Sequence, residues 1–356
     1  MTYRVVQWAT GAMGTAVLRS MLDHPGTEVV GAYVYGERKV GLDVGDLARR
    51  PATGVLATND AAEILALDAD VVVHAGRLGP YGAHDDDIVA LLESGKNVIS
   101  INGYTDPLAH PGPRLDRLQA ACERGGTSLM GAGLNPGFIG EQAAVVATGL
   151  CASVEHVEVV EAADARVLQD PEYFFNALGF GAAMDDHDPN DPSWGPVSAL
   201  GGMYEEVLGQ MAHQLGMTVD EIVTDHVCHP AVEDITASAG VVPAGTVGHT
   251  NWRWHAIVGG ERRLTMSIHW FVETAHLDDP EPPLWKVNVT GHPGVRVSIE
   301  LEKHRDDRSR MGAEQYAVAA QVINAIPYVV HAEPGVMIRP VATPARDDYA
   351  TFVPRS

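Results

Sequence analysis

The sequence predicts an α/β protein with a doubly wound parallel sheet, followed by an α+β second domain whose sheet is mostly antiparallel. Three observations predict it. Short, continuously apolar runs alternate with helical patterns through residue 150, a glycine turn directly follows the first run, and beyond residue 150 the runs lengthen, alternate and meet at glycine pairs. Unbroken apolar runs suit strands covered by helices on both faces, whereas alternation suits a sheet with one wet face.

Residues 4–9 (RVVQWA) form the first run. TGAMG follows, then a helix patterned by Ala16, Val17, Leu18, Met21 and Leu22. Strands are expected at 28–35, 70–75 (DVVVHA), 97–101 and 128–130, with helices at 88–92 and 115–124 between the later ones. Such β-α repetition winds the sheet both ways from its first strand. A helix at 142–150 then carries the chain away to a strand at 154–160. Residues 164–201 carry few regular signals and hold Phe174, Phe175, Phe180, Met184 and Trp194, the composition of a binding loop. A one-faced helix is expected at 204–215, and Thr218 with Glu221 has the spacing of a capping box for a further short helix. Strands 249–258 and 261–273 meet at Gly259-Gly260, a hairpin signal, and strands 285–290 and 295–302 flank a second turn. A helix at 312–325 returns to the first domain.

In a doubly wound sheet, ligands lie beyond the carboxyl ends of the strands. Thr10, Gly11, Ala12, Met13 and Gly14 stand at the first such junction and open a helix, the arrangement of a Rossmann-like fold that receives a pyrophosphate on free backbone N–H groups. The glycine spacing is incomplete, with Ala9 where a third glycine would fall. At the second strand's end, Tyr35 is followed by Glu37 and the basic pair Arg38 and Lys39, which suits a ribose 2′-phosphate; NADP(H) is the expected cofactor and NAD(H) the alternative. Later junctions add Ala75, Gly76 and Arg77, then Asn102 and Gly103, then Asn135 and Pro136. The domains are therefore drawn as 1–148 with 311–356 for the dinucleotide, and 149–310 for substrate and dimerisation, with a cleft between them.

A net charge of −23 argues against a polyanionic partner, so nucleic acid is not expected. No apolar stretch is long enough for a membrane span and no signal-peptide pattern opens the chain, which points to the cytoplasm. Cys122, Cys151 and Cys228 read as free thiols. Sixteen histidines include the pair His226 and His229, but Pro230 ends any helix that would align them, and no metal site is expected.

Gly131-Ala132-Gly133-Leu134-Asn135-Pro136-Gly137-Phe138, with Ala325-Ile326-Pro327 and Ala332-Glu333-Pro334-Gly335 near the end, resembles proteins with a dihydrodipicolinate reductase-like N-terminal domain, in the branch of 2,4-diaminopentanoate dehydrogenase and the native amine dehydrogenases. The resemblance implies a homodimer whose second-domain sheet supplies the substrate pocket. It also implies a glutamate, in a segment like S-T-C-E-E, that positions and deprotonates the amine. This chain reads Ser100-Ile101-Asn102-Gly103-Tyr104-Thr105-Asp106 there and lacks it. Tyr104, for a carbonyl, or Asp106, for an iminium, is the candidate proton donor. Phe174, Phe180, His255 and His269 are the candidate substrate contacts. The expected function is a NAD(P)H-dependent oxidoreductase acting on a C=O or C=N bond of a small, partly apolar substrate; the alternative is a non-catalytic NAD(P)- or ligand-binding protein.

Overall fold

In the computed structural model, which describes residues 2–185 and 188–341, the chain divides into two units. One comprises Met1–Arg77, Gly82–Phe138 and Glu302–Pro340, and the other comprises Leu78–Tyr81 and Ile139–Leu301. Residues 342–356, grouped above with the first domain, lie outside the described ones.

The first unit contributes β1 (Tyr3–Trp8), α1 (Ala12–Asp23), β2 (Thr27–Tyr33), α2 (Val44–Ala48), β3 (Ala57–Thr58), α3 (Ala61–Ala66), β4 (Val71–His74), α4 (Asp85–Glu93), β5 (Asn97–Ser100), α5 (Pro113–Gly125) and β6 (Ser128–Gly131). The second contributes α6 (Val145–Ala147), β7 (Ser153–Asp164), α7 (Gly195–Gln214), β8 (Glu221–Thr224), β9 (Val227–Pro230), β10 (Ile235–Ala237), β11 (Gly240–Val242), β12 (Val247–Val258), β13 (Glu261–Phe271), β14 (Trp285–His292) and β15 (Val295–Ile299). The chain then returns through α8 (Ala313–Val330) to β16 (Gly335–Val336) in the first unit.

The first unit's sheet has seven strands in the order β16-β6-β5-β4-β1-β2-β3. Every pairing in it is parallel. The apolar runs are its core: Val5, Val6, Val71, Val72, Val73, Val98 and Ile99 are completely buried, each worth roughly 1.5–3 kcal/mol of burial. Helix α8 lays Val318, Val322, Ala325, Ile326 and Val329, a stripe at helical spacing, against β4, β5, β6 and α1. From β1 the strands run outward through β2 to β3, and the chain then crosses back to β4 and continues to β6. The strand order therefore reverses between β1 and β4.

The second unit's main sheet runs β15-β14-β7-β13-β12-β8, with β9 also on β12, and only β7–β13 pairs in parallel. The Gly259-Gly260 hairpin forms as expected, with both residues at positive φ (62° and 80°) and Val258 opposite Glu261. Two expectations need correcting. The helix read from Thr218 and Glu221 is instead the strand β8, because Ile222, Val223 and Thr224 find a ladder on β12 that outweighs a local cap. The helix expected at 204–215 begins at Gly195, where Pro196 supplies a ready first turn.

Phe174 and Phe180 stack at 4.6 Å and 19° in a buried cluster with Leu178, Val242 and Val272. They are core residues of the second unit, a packing role in place of the ligand-facing one expected. Phe174→Ala should therefore cost about 3–5 kcal/mol, read as a lower urea midpoint at unchanged slope; a loss below about 1 kcal/mol would mean that the ring is not enclosed.

Candidate functional site

The carboxyl ends of β1, β2, β4, β5 and β6 meet the expected junctions, all within the first unit. After Trp8 the chain turns through Ala9, which takes φ 71°, the left-handed conformation that the missing glycine would have taken without strain. Gln7 holds this turn from beneath, donating from Nε2 to the Ala9 carbonyl at 2.8 Å. The two glycines have different duties. A Cβ on Gly14 would lie 2.2 Å from the Ala9 carbonyl oxygen, so Gly14 lets α1 press against the turn, whereas a Cβ on Gly11 would meet nothing within 4 Å. Helices α2 and α3 are capped by the carboxylates of Asp43 and Asp60. By contrast, α1 has no side-chain cap and no acidic residue in its first turn. The N–H groups at Ala12, Met13 and Gly14 thus lack a side-chain anion of their own, which fits a phosphate there.

Lys39 joins this turn, its Nζ donating to the Thr10 carbonyl at 2.5 Å and lying 3.1 Å from Thr10 Oγ1. Burial and the neighbouring Arg38 lower the Lys39 pKa. Arg38 and Glu37 are exposed. Tyr35, also exposed, accepts from Trp8 Nε1 at 3.1 Å and donates to Asp87 Oδ2 at 3.3 Å. Asn102 ties the β5 junction to the β4 junction by donating from Nδ2 to the Gly76 carbonyl at 2.6 Å. Ala75 donates its N–H to Trp8, and the Arg77 carbonyl lies 2.8 Å from His84 Nε2. Asn135 and Pro136, joined by a cis peptide, lie in a turn that closes on itself: a Cβ on Gly133 would strike the Pro136 carbonyl, and one on Gly137 would strike the Gly133 backbone. Those glycines answer to the turn's own closure.

The two candidate proton donors differ in kind. Gly103 and Tyr104 both have positive φ (84° and 60°), and the Tyr104 ring turns into the core. Its hydroxyl donates to Asp85 Oδ1 at 2.7 Å, while Arg114 grips the same carboxylate at 2.8 and 3.1 Å and stands 5.0 Å from the centre of the tyrosine ring. Burial and the Asp85 charge push the Tyr104 pKa up. The hydroxyl is thus committed to an internal clamp between the β5 loop, α4 and α5. Asp106 is 2% exposed, and its Oδ1 has no hydrogen-bond partner. Burial pushes its carboxyl up to about 6, against a smaller pull downward from the N–H groups of Leu108 and Ala109.

In the second unit, His255 has both nitrogens engaged, Nε2 with Asp225 at 2.8 Å and Nδ1 with Thr265 at 3.0 Å. His269 lies 3.0 Å from His249 Nε2 and 3.2 Å from Ser267 Oγ, in a stack that continues to His229 and His276. Burial lowers His269 to about 4. His226 and His229 flank and occupy a strand, as the proline implies, and not a helix. A pocket of about 230 Å³ in this unit is lined by Met184, Trp194, His226, Cys228 and Val247 among others. Phe174, Phe180, His255 and His269 do not line it. The structure therefore gathers the dinucleotide candidates and scatters the substrate candidates. Cys122, Cys151 and Cys228 are free, the first two buried.

One residue of the first unit escaped the sequence reading. His74, the last residue of β4, is completely buried with neither ring nitrogen hydrogen-bonded. The signal was available, since a histidine interrupts an otherwise all-valine strand buried on both faces.

Residues 5–78 match the family described as dihydrodipicolinate reductase, N-terminus. The chain is similar to an amine dehydrogenase of Streptomyces virginiae, 29% identical over 344 residues and covering 93% of both proteins. It is also similar to a 2,4-diaminopentanoate dehydrogenase of Acetoanaerobium sticklandii, 22% identical over 349 residues, covering 93% of this chain and 91% of the relative. Among solved structures, the amine dehydrogenase from Mycobacterium smegmatis shares its fold at a TM-score of 0.75 and 20% identity, over 95% of each chain. The resemblance carried by the Gly131–Phe138 and Ala325–Gly335 segments is thus present across nearly the whole chain. These relatives support a nicotinamide-dependent oxidoreductase. Among the described residues, no helix is long and apolar enough to cross a membrane.

Proposed function

We propose that the chain is a NADPH-preferring oxidoreductase acting on a C=O or C=N bond of a small, partly apolar substrate. The observation that carries this reading is the start of α1, uncapped and free of carboxylate in its first turn, with Gly14 packed on the Ala9 carbonyl and Gly11 facing open space. That cradle fits a pyrophosphate, whose charge the helix dipole and free N–H groups stabilise. When bound, the cofactor supplies or accepts the hydride.

The residues of the chain supply the rest. A carbon that gains a hydride leaves an electron pair on its oxygen or nitrogen, which needs one proton to complete the reduction. Asp106 can hold that proton, because a carboxyl lifted to about 6 exchanges it near neutral pH. Tyr104 serves a different end, since its hydroxyl belongs to Asp85. Neither Gly103 nor Tyr104 offers the carboxylate that the relatives' segment implies, so whether the reduced bond is C=O or C=N turns on the need for ammonia. The decisive assay follows NADPH oxidation with small ketones, with and without ammonia. Turnover only with ammonia would replace this reading by reductive amination, and tight cofactor binding without turnover would favour a ligand-binding protein.

The preference for NADPH rests on Arg38 and Lys39 and on the absence of an acid at the end of β2. Arg38→Ala should raise the Kd for NADPH about tenfold, the weight of one charge-assisted hydrogen bond, and change that for NADH by less than about twofold, whereas Lys39→Ala, which also removes the bond to the Thr10 carbonyl, should weaken both. Equal losses for both cofactors in Arg38→Ala would mean that this cation meets the shared pyrophosphate instead.

A further inference from the structure

At the point where the strand order reverses, three side chains converge that the proposed reduction does not use. His74 ends β4, His84 precedes the first turn of α4, and Asp87 lies within that turn. One ligand atom from each lies within 4.8 Å of the other two. We propose that His74, His84 and Asp87 form a site for one divalent transition-metal cation of the zinc type.

His74 gives the first reason. Both of its nitrogens are buried without a partner, and leaving such a group unsatisfied costs about 1–3 kcal/mol. His84 is already oriented. Its Nε2 lies 2.8 Å from the Arg77 carbonyl, which can only accept, so the proton sits on Nε2 and the lone pair on Nδ1. A backbone carbonyl holding one nitrogen, and leaving the other for the ion, is the usual support of a metal-bound imidazole. Asp87 is steadied likewise, with one oxygen accepting from the Tyr35 hydroxyl at 3.3 Å.

The charge pattern agrees. Of the three successive acids that open α4, Asp85 is paired with Arg114 and Asp86 with Arg117. Asp87 faces no cation among the described residues, so its charge remains for an ion to meet. Ligands of a tetrahedral ion at 2.0–2.1 Å stand about 3.3 Å apart, so the group must contract from its present spacing. His84 and Asp87 are partly exposed and can move inward, while His74 stays fixed by the core. Two imidazoles and one carboxylate select zinc, cobalt or nickel over magnesium or calcium, and three ligands leave a fourth position for water.

The inference is independent of the cofactor reading and is tested with the metal alone. The full chain, stripped with a chelator, is titrated with Co²⁺ and the visible absorption of a four-coordinate ion is followed, then competed with Zn²⁺. One equivalent should bind. His84→Ala and Asp87→Asn should each weaken binding at least about 100-fold, with circular dichroism unchanged, and His276→Ala in the second unit should have no effect. Zn²⁺ should raise the melting temperature of the wild type and not that of His84→Ala. Absence of a saturable Co²⁺ spectrum in the wild type, or its survival within threefold in a folded His84→Ala chain, overturns the site.

Discussion

A Gly11→Asp chain is expected to lose dinucleotide binding while keeping its fold. The new Cβ would meet no atom within 4 Å. The backbone, at φ −67° and ψ −166°, already has the extended form that a capping aspartate adopts. The carboxylate would then accept from the first-turn N–H groups and occupy the place proposed for the pyrophosphate with a charge of the same sign. Losing two charge-assisted hydrogen bonds corresponds to about 3 kcal/mol, or at least about 100-fold in Kd. The melting temperature should stay the same or rise, because the helix gains a cap. NADPH fluorescence titration beside a thermal melt separates the two effects, and an unchanged Kd would remove the foundation of the proposed function. Gly14 could not serve this test, since any side chain there collides with backbone.

Asp106→Asn is expected to slow turnover by about 10²–10⁴-fold while making the protein more stable at alkaline pH. The folded carboxyl titrates near 6, above its unfolded value of about 3.9. Between those values the native chain keeps a proton that the unfolded chain has lost, so stability falls as pH rises through this window. The full penalty, up to about 3 kcal/mol, is present above pH 6 and absent below about 4. The Asn variant escapes it, and its melting temperature should exceed that of the wild type at pH 8 but not at pH 4. In the wild type, kcat/KM for reduction should decline as pH rises through about 6, and this inflection should vanish in the variant. Stabilisation with full activity would make Asp106 a strained bystander. Loss of activity without the stability gain would mean that its environment is wetter than its burial indicates.

The parts of this protein legible in the sequence are those governed by neighbours along the chain. Val71, Val72 and Val73 sit on a strand because an unbroken valine run suits a strand covered on both faces, and Gly259-Gly260 folds a hairpin because two positive φ values are needed in succession. The glycine turn was readable for the same reason. What escaped was set by partners remote in sequence. Residues 221–224 are a strand only because β12 offers a ladder, and two-residue β16 exists only through its pairing with β6. Tyr104 reads as an accessible phenol until Asp85 and Arg114, on two other helices, are brought to it. Phe174 and Phe180, in a stretch that looked like a binding loop, instead hold each other in a core. Asp106 was legible as a carboxylate but not as a buried one.

The Tyr104–Asp85–Arg114 clamp bears on how such a protein could change its chemistry. Tyr104 is one of the two positions, with Gly103, at which the resemblance implies a glutamate, and Tyr104→Glu would set a second carboxylate beside Asp85 and leave Arg114 to balance two charges in a buried space. The three positions are therefore epistatic. A route toward amine chemistry through this loop would pass first through Asp85, and a designer who altered position 104 alone would be probing charge repulsion, not catalysis.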